Sequence, residues 1–356
     1  MAKRFMPRIG TRPSGALDLI SDVPGVTVGH CTIDIGQDVH TGVTVVRPIE
    51  GDVYKHKVPA CAHVINGHTK SSGYIQLQEL GVLETPIALT NTLCVGSVMM
   101  AQVREAIRTN PGICRITSSV NPVVCECSDA QLSDIQQLTI TDEHYRAALA
   151  DCRREFACGA VGAGRGMMNF GLKGGIGSAS RLARAGGKTY TVGVLVLSNF
   201  GKPHQLIIDG ERVGARLNPP QPAPDEKPES GSCIMIVATD APLEYRQLHR
   251  IAVRATAGIS RTGSVYGHGS GDEVIAFSTA YGIDWQPQSA LREPVAFLND
   301  TALDPEFFEA TADATEQAIL KAIYSAETLT GFRGKTVKSF VDAWQEKFGS
   351  FDDDPQ

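Results

Sequence analysis

The sequence lacks a hydrophobic run long enough to cross a membrane, and it lacks an excess of basic residues. Its longest apolar runs, such as residues 92–101, fall far short of the roughly 20 residues that a spanning helix needs. The net charge of −6 argues against a nucleic-acid or anionic-membrane surface. The basic N-terminus, MAKRFMPRIG, is not followed by the apolar segment of a signal peptide. We therefore expect a cytoplasmic protein with neither nucleic acid nor membrane as a partner.

The sequence also lacks the cysteine spacings of zinc and redox sites. It contains nine cysteines, an odd number, and no Cys-x-x-Cys pair. The closest pair, Cys125 and Cys127, lies in a candidate strand, where alternate residues share one face and behave as small buried hydrophobes. No metal and no organic cofactor are predicted, and the free thiols favour a reducing compartment.

What the sequence has is enough apolar material for a large core, 42% of 356 residues, and 36 glycines between short β-rich runs. Strands are predicted at 59–65, 122–126, 189–197 and 233–238, and helices at 96–108, 142–156, 242–259, 304–327 and 337–348. Helices that follow pairs of strands indicate a layered α/β fold with a substantial antiparallel component.

Two further segments have a structural interpretation. The glycine-rich run from Cys158 to Arg181 lacks the Lys-Ser/Thr of a phosphate-binding loop, so tight turns and close strand crossings are predicted there. The densest basic cluster, Arg181, Arg184 and Lys188, is predicted to form a solvated helix face.

One boundary in the sequence changes character abruptly. Residues 216–231, with five prolines, are predicted to be an exposed flexible linker, and the apolar CIMIVA that follows reads as a core strand. Ser232 stands between the two, after Gly231. It is either an ordinary strand entry or an N-terminal nucleophile that is released by cleavage of the Gly231–Ser232 bond. The freed α-amine, with a reference pKa of about 7.7–8.0, would act as the base for its own hydroxyl.

The motifs around this boundary favour the second interpretation. GSCIMIVATDAP, LHRIAVRATAGISRTGS and GHGSGDEVIAFSTA resemble the DmpA-type aminopeptidases, the serine N-terminal-nucleophile family of L-aminopeptidase/D-Ala-esterase-amidases and β-peptidyl aminopeptidases. The upstream segments SDVPGVTVGH, TGVTVV, LGVLETPIALTNTLCVGSV, PVVCE, FGLKGGIGSASR and VGVLVLSNFG resemble the same family in its usual order. The resemblance thus covers most of the chain.

The resemblance implies a four-layer αββα sandwich and a single domain, 1–356, that cleaves itself into 1–231 and 232–356, two chains that stay together. It also implies homo-oligomers of such two-chain units. Ser232 would be the nucleophile, with Ser270 and Asp272 as the second serine and the acidic residue beside it. Asn199 matches the asparagine of the oxyanion hole, and Glu126 matches the carboxylate that holds the free amine of the substrate.

One position departs from the family pattern. Two residues after the glutamate, where some members carry a large residue such as tyrosine, this chain has Ser128. The substrate, a small peptide or an amino-acid amide or ester, can therefore carry an α- or a β-amino acid, and the smaller side chain favours β-peptides or mixed substrates. His268, two residues before Ser270, is interpreted as a structural loop residue without a catalytic role.

Two rival functions remain at this point. Ornithine acetyltransferases also cleave themselves, but they expose a threonine, whereas this chain would expose Ser232. Hydrolases of polyamide oligomers are closer relatives of the same family, and only a substrate assay separates them.

Overall fold

Two β-sheets stacked face to face, with helices on both outer sides, make up the structure. The computed structural model describes residues 6–220, 230–292 and 294–349. The strands are β1 (Thr27–Ile35), β2 (Val39–Arg47), β3 (His56–Gly67), β4 (Val82–Leu83), β5 (Ile87–Asn91), β6 (Val123–Cys127), β7 (Met168–Asn169), β8 (Leu172–Lys173), β9 (Gly175–Ala185), β10 (Lys188–Asn199), β11 (Ser232–Thr239), β12 (Gly271–Ser278), β13 (Ile283–Asp284), β14 (Leu329–Thr330) and β15 (Thr336–Val337). The helices are α1 (Tyr74–Leu80), α2 (Val95–Thr109), α3 (Asp142–Ala150), α4 (Val213–Leu217), α5 (Tyr245–Arg261), α6 (Glu306–Tyr324) and α7 (Phe340–Phe348).

The smaller sheet has the order β1-β2-β5-β6. The larger sheet has the order β13-β3-β12-β11-β10-β9, with β4 paired to β3. Most neighbours are antiparallel, but β5 and β6 are parallel, and so are β11 and β12. Within the described chain, no helix is long and apolar enough to cross a membrane.

The buried side chains divide into three main layers, which establishes the predicted αββα order. Helices α2 and α3 cover the outer face of the smaller sheet, and α5 and α6 cover the outer face of the larger one. Between the sheets lies a third apolar layer, to which both sheets contribute aliphatic side chains. Two sheets that each bury both faces require two helical covers, so four layers result.

Strand β11 shows why the CIMIVA run is continuously apolar. Cys233, Met235 and Val237 pack against the helices α5 and α6. Ile234 and Ile236 alternate with them and pack between the two sheets. Successive side chains of a strand point to opposite faces, so a strand covered on both sides carries a continuous run of apolar residues in its middle. Ser232 begins this strand and, by the same alternation, lies on the side between the sheets.

The predicted helices are present, with shifted ends. The helix predicted at 142–156 ends at Ala150, because Val28 and Arg153 exchange two backbone hydrogen bonds of 3.0 and 3.1 Å and so attach the chain to β1. The helix predicted at 337–348 begins only at Phe340, since Thr336 and Val337 pair with β14. Ser339 caps its first turn by accepting a 3.0 Å hydrogen bond from the Asp342 N–H.

The basic cluster was interpreted wrongly. Arg181 and Arg184 lie on β9, and Lys188 begins β10, so no helix face is formed. Arg181 is fully buried, and its guanidinium donates to the Ile9 and Ser180 carbonyls at 2.7 Å each. A long side chain in a strand between helix and sheet layers can be buried when backbone acceptors satisfy its donors.

The glycine-rich run forms turns and close crossings, as predicted. Gly159 and Gly162 have φ of +97° and +52°, a region that favours glycine. A Cβ on Gly164 would lie 2.7 Å from the Gly175 Cα, so these two stretches of backbone touch directly. Cys125 and Cys127 are both buried in β6 and share the layer between the sheets, also as predicted.

The predicted linker begins later than the proline count suggested. Arg216 and Leu217 belong to α4, and the Arg216 guanidinium lies 5.1 Å from the centre of the Trp344 ring. Residues 221–229 of this segment lie outside the described residues.

Candidate active site

Ser232 occupies the first position of β11, between the ends of two neighbouring strands. Its antiparallel partner in β10 is Asn199, and its parallel partner in β12 is Gly271. The Ser232 hydroxyl donates to the Gly231 carbonyl at 2.5 Å, and the Gly271 N–H donates to the same carbonyl at 3.1 Å. The hydroxyl of Ser232 and the carbonyl that precedes it are therefore held in contact, and a backbone donor polarises that carbonyl.

Gly231 stands at a close approach of two backbones. A Cβ at this position would lie 2.9 Å from the Phe200 Cα and 3.0 Å from the Asn199 carbonyl oxygen. Such distances are shorter than ordinary carbon contacts, so a side chain would displace the residue next to Ser232. The glycine before the serine is thus required by packing against the end of β10.

Ser232 borders a cavity of about 640 Å³ that also reaches Asn199 at the end of β10 and Glu126 near the end of β6. Its wall includes Thr92, Glu126, Ser128, Asn199, Gly231 and Ser232. A cavity of this size suits a small ligand.

Asn199 presents its amide to this cavity in a fixed orientation. The Met168 N–H donates to Asn199 Oδ1 at 2.9 Å, and Asn199 Nδ2 donates to the Ser128 carbonyl at 3.0 Å. A backbone N–H requires an oxygen and a carbonyl requires a donor, so the two contacts define which amide atom is which. One N–H of Nδ2 remains for a ligand beside Ser232.

Glu126 is a buried carboxylate, only 1% exposed, in the wall of the cavity. The Lys70 backbone N–H donates to its Oε1 at 3.1 Å, and the Thr92 hydroxyl donates to its Oε2. No basic side chain forms an ion pair with Glu126 in the described part of the chain. A buried carboxylate that has only neutral donors carries an electrostatic cost, which a cationic ligand would offset.

Of the other predicted site residues, only Ser128 lines the cavity, and Ser270 and Asp272 flank Gly271, the strand neighbour of Ser232. Ser270 and Asp272 are both buried, and Asp272 lies beside Cys233. The Ser270 hydroxyl has no hydrogen-bond partner among the described residues. His268 is exposed, which agrees with the interpretation that it is a loop residue.

Sequence reasoning did not identify four of the residues that hold the site. Glu273 is 1% exposed, and its carboxylate accepts hydrogen bonds from Ser71 and Thr69 at 2.6 and 3.1 Å. Burial and the negative charge of Glu126 raise the pKa of Glu273. Thr92, Ser71 and Thr69 carried no distinct signal, because isolated hydroxyl residues in loops are common.

The described residues contain no group of three or more His, Cys, Asp or Glu side chains that could hold a metal ion. All nine cysteines are free thiols.

Comparison with known proteins agrees with this arrangement. The family model of Peptidase family S58 matches residues 18–337. The β-peptidyl aminopeptidase BapA of Sphingosinicella xenopeptidilytica is 37% identical over 338 residues, which cover 89% of this chain and 83% of the relative.

Solved structures are similar over nearly the whole chain. The PH0078 protein from Pyrococcus horikoshii is 43% identical, with a TM-score of 0.88 and 94% of each chain covered. The β-aminopeptidase from Burkholderia sp. is 36% identical, with a TM-score of 0.85, 96% of this chain covered and 97% of the other.

The L-aminopeptidase D-Ala-esterase/amidase from Ochrobactrum anthropi, a variant of the Ntn hydrolase fold, is 32% identical, with a TM-score of 0.86, 95% of this chain covered and 97% of the other. The chain therefore belongs to Peptidase family S58, the serine aminopeptidases with an N-terminal nucleophile.

Proposed function

We propose that the chain cleaves itself between Gly231 and Ser232 and that Ser232 then removes N-terminal residues, β-amino acids among them, from short peptides and amino-acid amides. The observation that carries this proposal is the shared cavity of Ser232 and Glu126. Ser232 lies at one point of the wall and the buried Glu126 carboxylate at another, which supports a nucleophile and a site for the substrate amine in one cavity.

Self-cleavage begins at a bond whose reacting groups are already in contact. The Ser232 Oγ attacks the carbonyl carbon of Gly231, and the Gly231–Ser232 amide becomes an ester. Water hydrolyses the ester, which leaves a carboxylate on Gly231 and a free α-amine on Ser232. The N–H of Gly271 stabilises the oxygen of Gly231 while charge develops on it, since it already donates to that oxygen.

The same hydroxyl then attacks the substrate. The α-amine of Ser232 accepts the hydroxyl proton and passes it to the leaving amine, and water hydrolyses the resulting ester. The remaining N–H of Asn199 donates to the oxyanion. Ser270 and Asp272, buried behind Gly271, orient the α-amine and stabilise its protonated form.

Glu126 limits the reaction to chain ends. Only a substrate with a free ammonium group pairs with its buried charge, because an internal peptide has no cation at the equivalent position. The backbone of a β-amino acid places one more methylene between amine and carbonyl. A wall with Ser128 in place of a large side chain leaves room for that extra length. The relatives named β-peptidyl aminopeptidase and β-aminopeptidase support the same substrate class.

Self-cleavage is tested by the intact mass of the purified protein and of the Ser232→Ala variant. We expect two chains that separate between Gly231 and Ser232 in the former and one chain in the latter. One full-length chain in both samples would mean that Ser232 is only a strand entry.

Specificity is tested with a panel of para-nitroanilides of β-homo-amino acids and L-amino acids, together with a short polyamide oligomer. We expect release from the β-homo-amino acids at rates at least comparable to that from L-Ala. A strong preference for L-Ala, or cleavage of the polyamide alone, would contradict the proposed substrate class.

A further inference from the structure

Lys173 is a fully buried lysine in the short hairpin beneath the active site. Its ammonium donates to three backbone carbonyls, those of Met167 at 2.8 Å, Gly174 at 2.9 Å and Gly164 at 3.3 Å. An ammonium has three N–H groups, so the three acceptors match its donors in number. Among the described residues no carboxylate forms an ion pair with it, and a buried cation without one is costly. Burial lowers the pKa of Lys173 to about 7.

One of these carbonyls belongs to the peptide unit that holds Asn199. Lys173 donates to the Met167 carbonyl, and the N–H on the other side of the same peptide bond, that of Met168, donates to Asn199 Oδ1 at 2.9 Å. A hydrogen bond to a peptide carbonyl polarises the peptide and strengthens the bond that its N–H makes. The chain of contacts therefore runs from the Lys173 ammonium through one peptide unit to the Asn199 amide.

The rest of the hairpin fixes the same strand end. The Phe170 N–H donates to the Phe200 carbonyl at 2.8 Å, and Asn169 Nδ2 donates to the Ser198 hydroxyl. Strands β7 and β8 pair Met168 with Lys173, so the lysine lies directly across from the residue that contacts Asn199. The hairpin thus attaches to Ser198 and Asn199 at the end of β10 and to Phe200, which follows them. Lys173 attaches the hairpin to the carbonyls of Gly164 and Met167.

We propose that Lys173 is a positioning residue for the oxyanion donor: through the Met167–Met168 peptide it orients and polarises the Asn199 amide that stabilises the transition state. This inference rests on the proposed role of Asn199. It concerns only charge that develops during the reaction, so Lys173 acts on kcat and leaves the ground-state contact between the substrate amine and Glu126 unaltered.

The test is a double-mutant cycle of Lys173→Met and Asn199→Ala on the processed enzyme, with kcat and KM for a para-nitroanilide substrate. We expect Asn199→Ala to lower kcat by about 10²–10³-fold. Lys173→Met should lower kcat about tenfold, the size of one lost hydrogen-bond contribution, with KM within about twofold. In the Asn199→Ala background the lysine substitution should then have almost no effect on kcat, because its only route to the reaction has been removed.

The control is Arg181→Met, which removes another fully buried cation, on β9, that donates to two backbone carbonyls and also pairs with Asp18 at 3.1 Å. It should lower the unfolding temperature and leave kcat unchanged. Lys173→Gln is the second variant: its neutral amide keeps a donor for the Met167 carbonyl but lacks the charge, so its kcat should fall less than that of Lys173→Met. If Lys173→Met does not fold, Lys173→Gln carries the same cycle and should lower kcat at unchanged KM in the wild-type background, with almost no effect in the Asn199→Ala background.

The outcomes separate the two ideas. An unaltered kcat in Asn199→Ala would contradict the role of Asn199 itself. A large loss of kcat in Asn199→Ala would leave the proposed function intact. The role of Lys173 would still be overturned if Lys173→Met lowered kcat by the same factor in the Asn199→Ala background as in the wild type, if it changed KM alone, or if it had no effect.

Discussion

Glu126 and Glu273 are held by one three-residue segment. The Lys70 N–H donates to Glu126 at 3.1 Å, and the hydroxyls of Ser71 and Thr69 donate to Glu273 at 2.6 and 3.1 Å. Burial raises the pKa of Glu273, and the negative charge of Glu126 raises it further. An ammonium group bound at Glu126 would relieve the repulsion between the two carboxylates, so the pair favours a cationic ligand over an empty cavity.

Glu126→Gln should weaken substrate binding and leave self-cleavage intact. The amide keeps the size of the side chain but offers the substrate ammonium no charge. Loss of one partner of a buried ion pair costs on the order of 2–5 kcal/mol, so KM should rise at least about 30-fold. Steady-state kinetics give KM, and intact mass reports the cleavage. A normal KM, or a chain that stays uncleaved, would count against the assignment of Glu126 to the substrate amine.

Ser128→Tyr should shift the preference toward α-amino acids. A large side chain in the wall shortens the space available to the additional methylene of a β-amino acid. One methylene in a fitted pocket is worth about 1–3 kcal/mol, so the ratio of kcat/KM for β-homo-alanine and L-Ala substrates should fall about tenfold or more. Ser128→Ala is the control and should keep the original ratio. Equal ratios in all three proteins would show that position 128 does not decide specificity.

Asp129 makes stability depend on pH. Its carboxylate is fully buried, and burial, offset only in part by the nearby polar groups of Thr41 and Asn91, raises its pKa to about 7 from a usual value of 3.8. The folded protein therefore keeps a proton that the unfolded chain releases above about pH 4. The free energy of unfolding should fall as the pH rises from about 4 to about 7, by up to about 4 kcal/mol for this group.

Asp129→Asn should remove that dependence. Denaturant unfolding of the two proteins near pH 5 and near pH 8 provides the measurement, in the Ser232→Ala background so that each sample stays a single chain. The free energy of unfolding of the asparagine variant should exceed that of the unsubstituted protein most at the higher pH. Stability curves that run parallel across this range would show that Asp129 is already ionised in the folded protein.

Gly177→Ala should loosen the packing of α6 on β9. A Cβ at Gly177 would lie 1.8 Å from the Ala318 carbonyl oxygen of α6, and the helix backbone would have to move away. We expect a loss of about 1–3 kcal/mol in the free energy of unfolding, measured by denaturant titration in the same background. Gly96→Ala is the matched control: no atom lies within 4 Å of its Cβ position, and an exposed helical alanine should stabilise by up to about 1 kcal/mol. Similar changes at both positions would contradict the tight helix–sheet contact.

Much of the fold was predictable where one physical signal dominates. The CIMIVA run is apolar at every position because β11 is covered on both faces, and the stripe of α5 that contains Leu248, Ile251 and Ala255 is fully buried. The helix ends were less predictable. Residues 151–156 continue the pattern of α3, but the pairing of Arg153 with Val28 across a long sequence separation ends the helix.

The prediction of a solvated helix face at Arg181 was wrong for the same reason. A charged side chain predicts solvent exposure unless distant acceptors satisfy it, and the acceptors here include the carbonyl of Ile9, 172 residues away. Lys173 gave no signal for a related reason, since its partners are backbone carbonyls that look alike at every position of a sequence.

The sequence by itself determined which chemical groups the site would contain. Each group belongs to a local pattern that a short stretch of consecutive residues contains: Gly231 and Ser232 at the boundary, Asn199 at a strand end and Glu126 after a buried run. Tertiary structure decided how these groups meet. Antiparallel pairing sets Asn199 opposite Ser232, the stacking of two sheets brings Glu126 to the same cavity, and a buried hairpin with Lys173 fixes the amide. These relationships depend on register and layer packing between residues far apart in the chain, which no local pattern encodes.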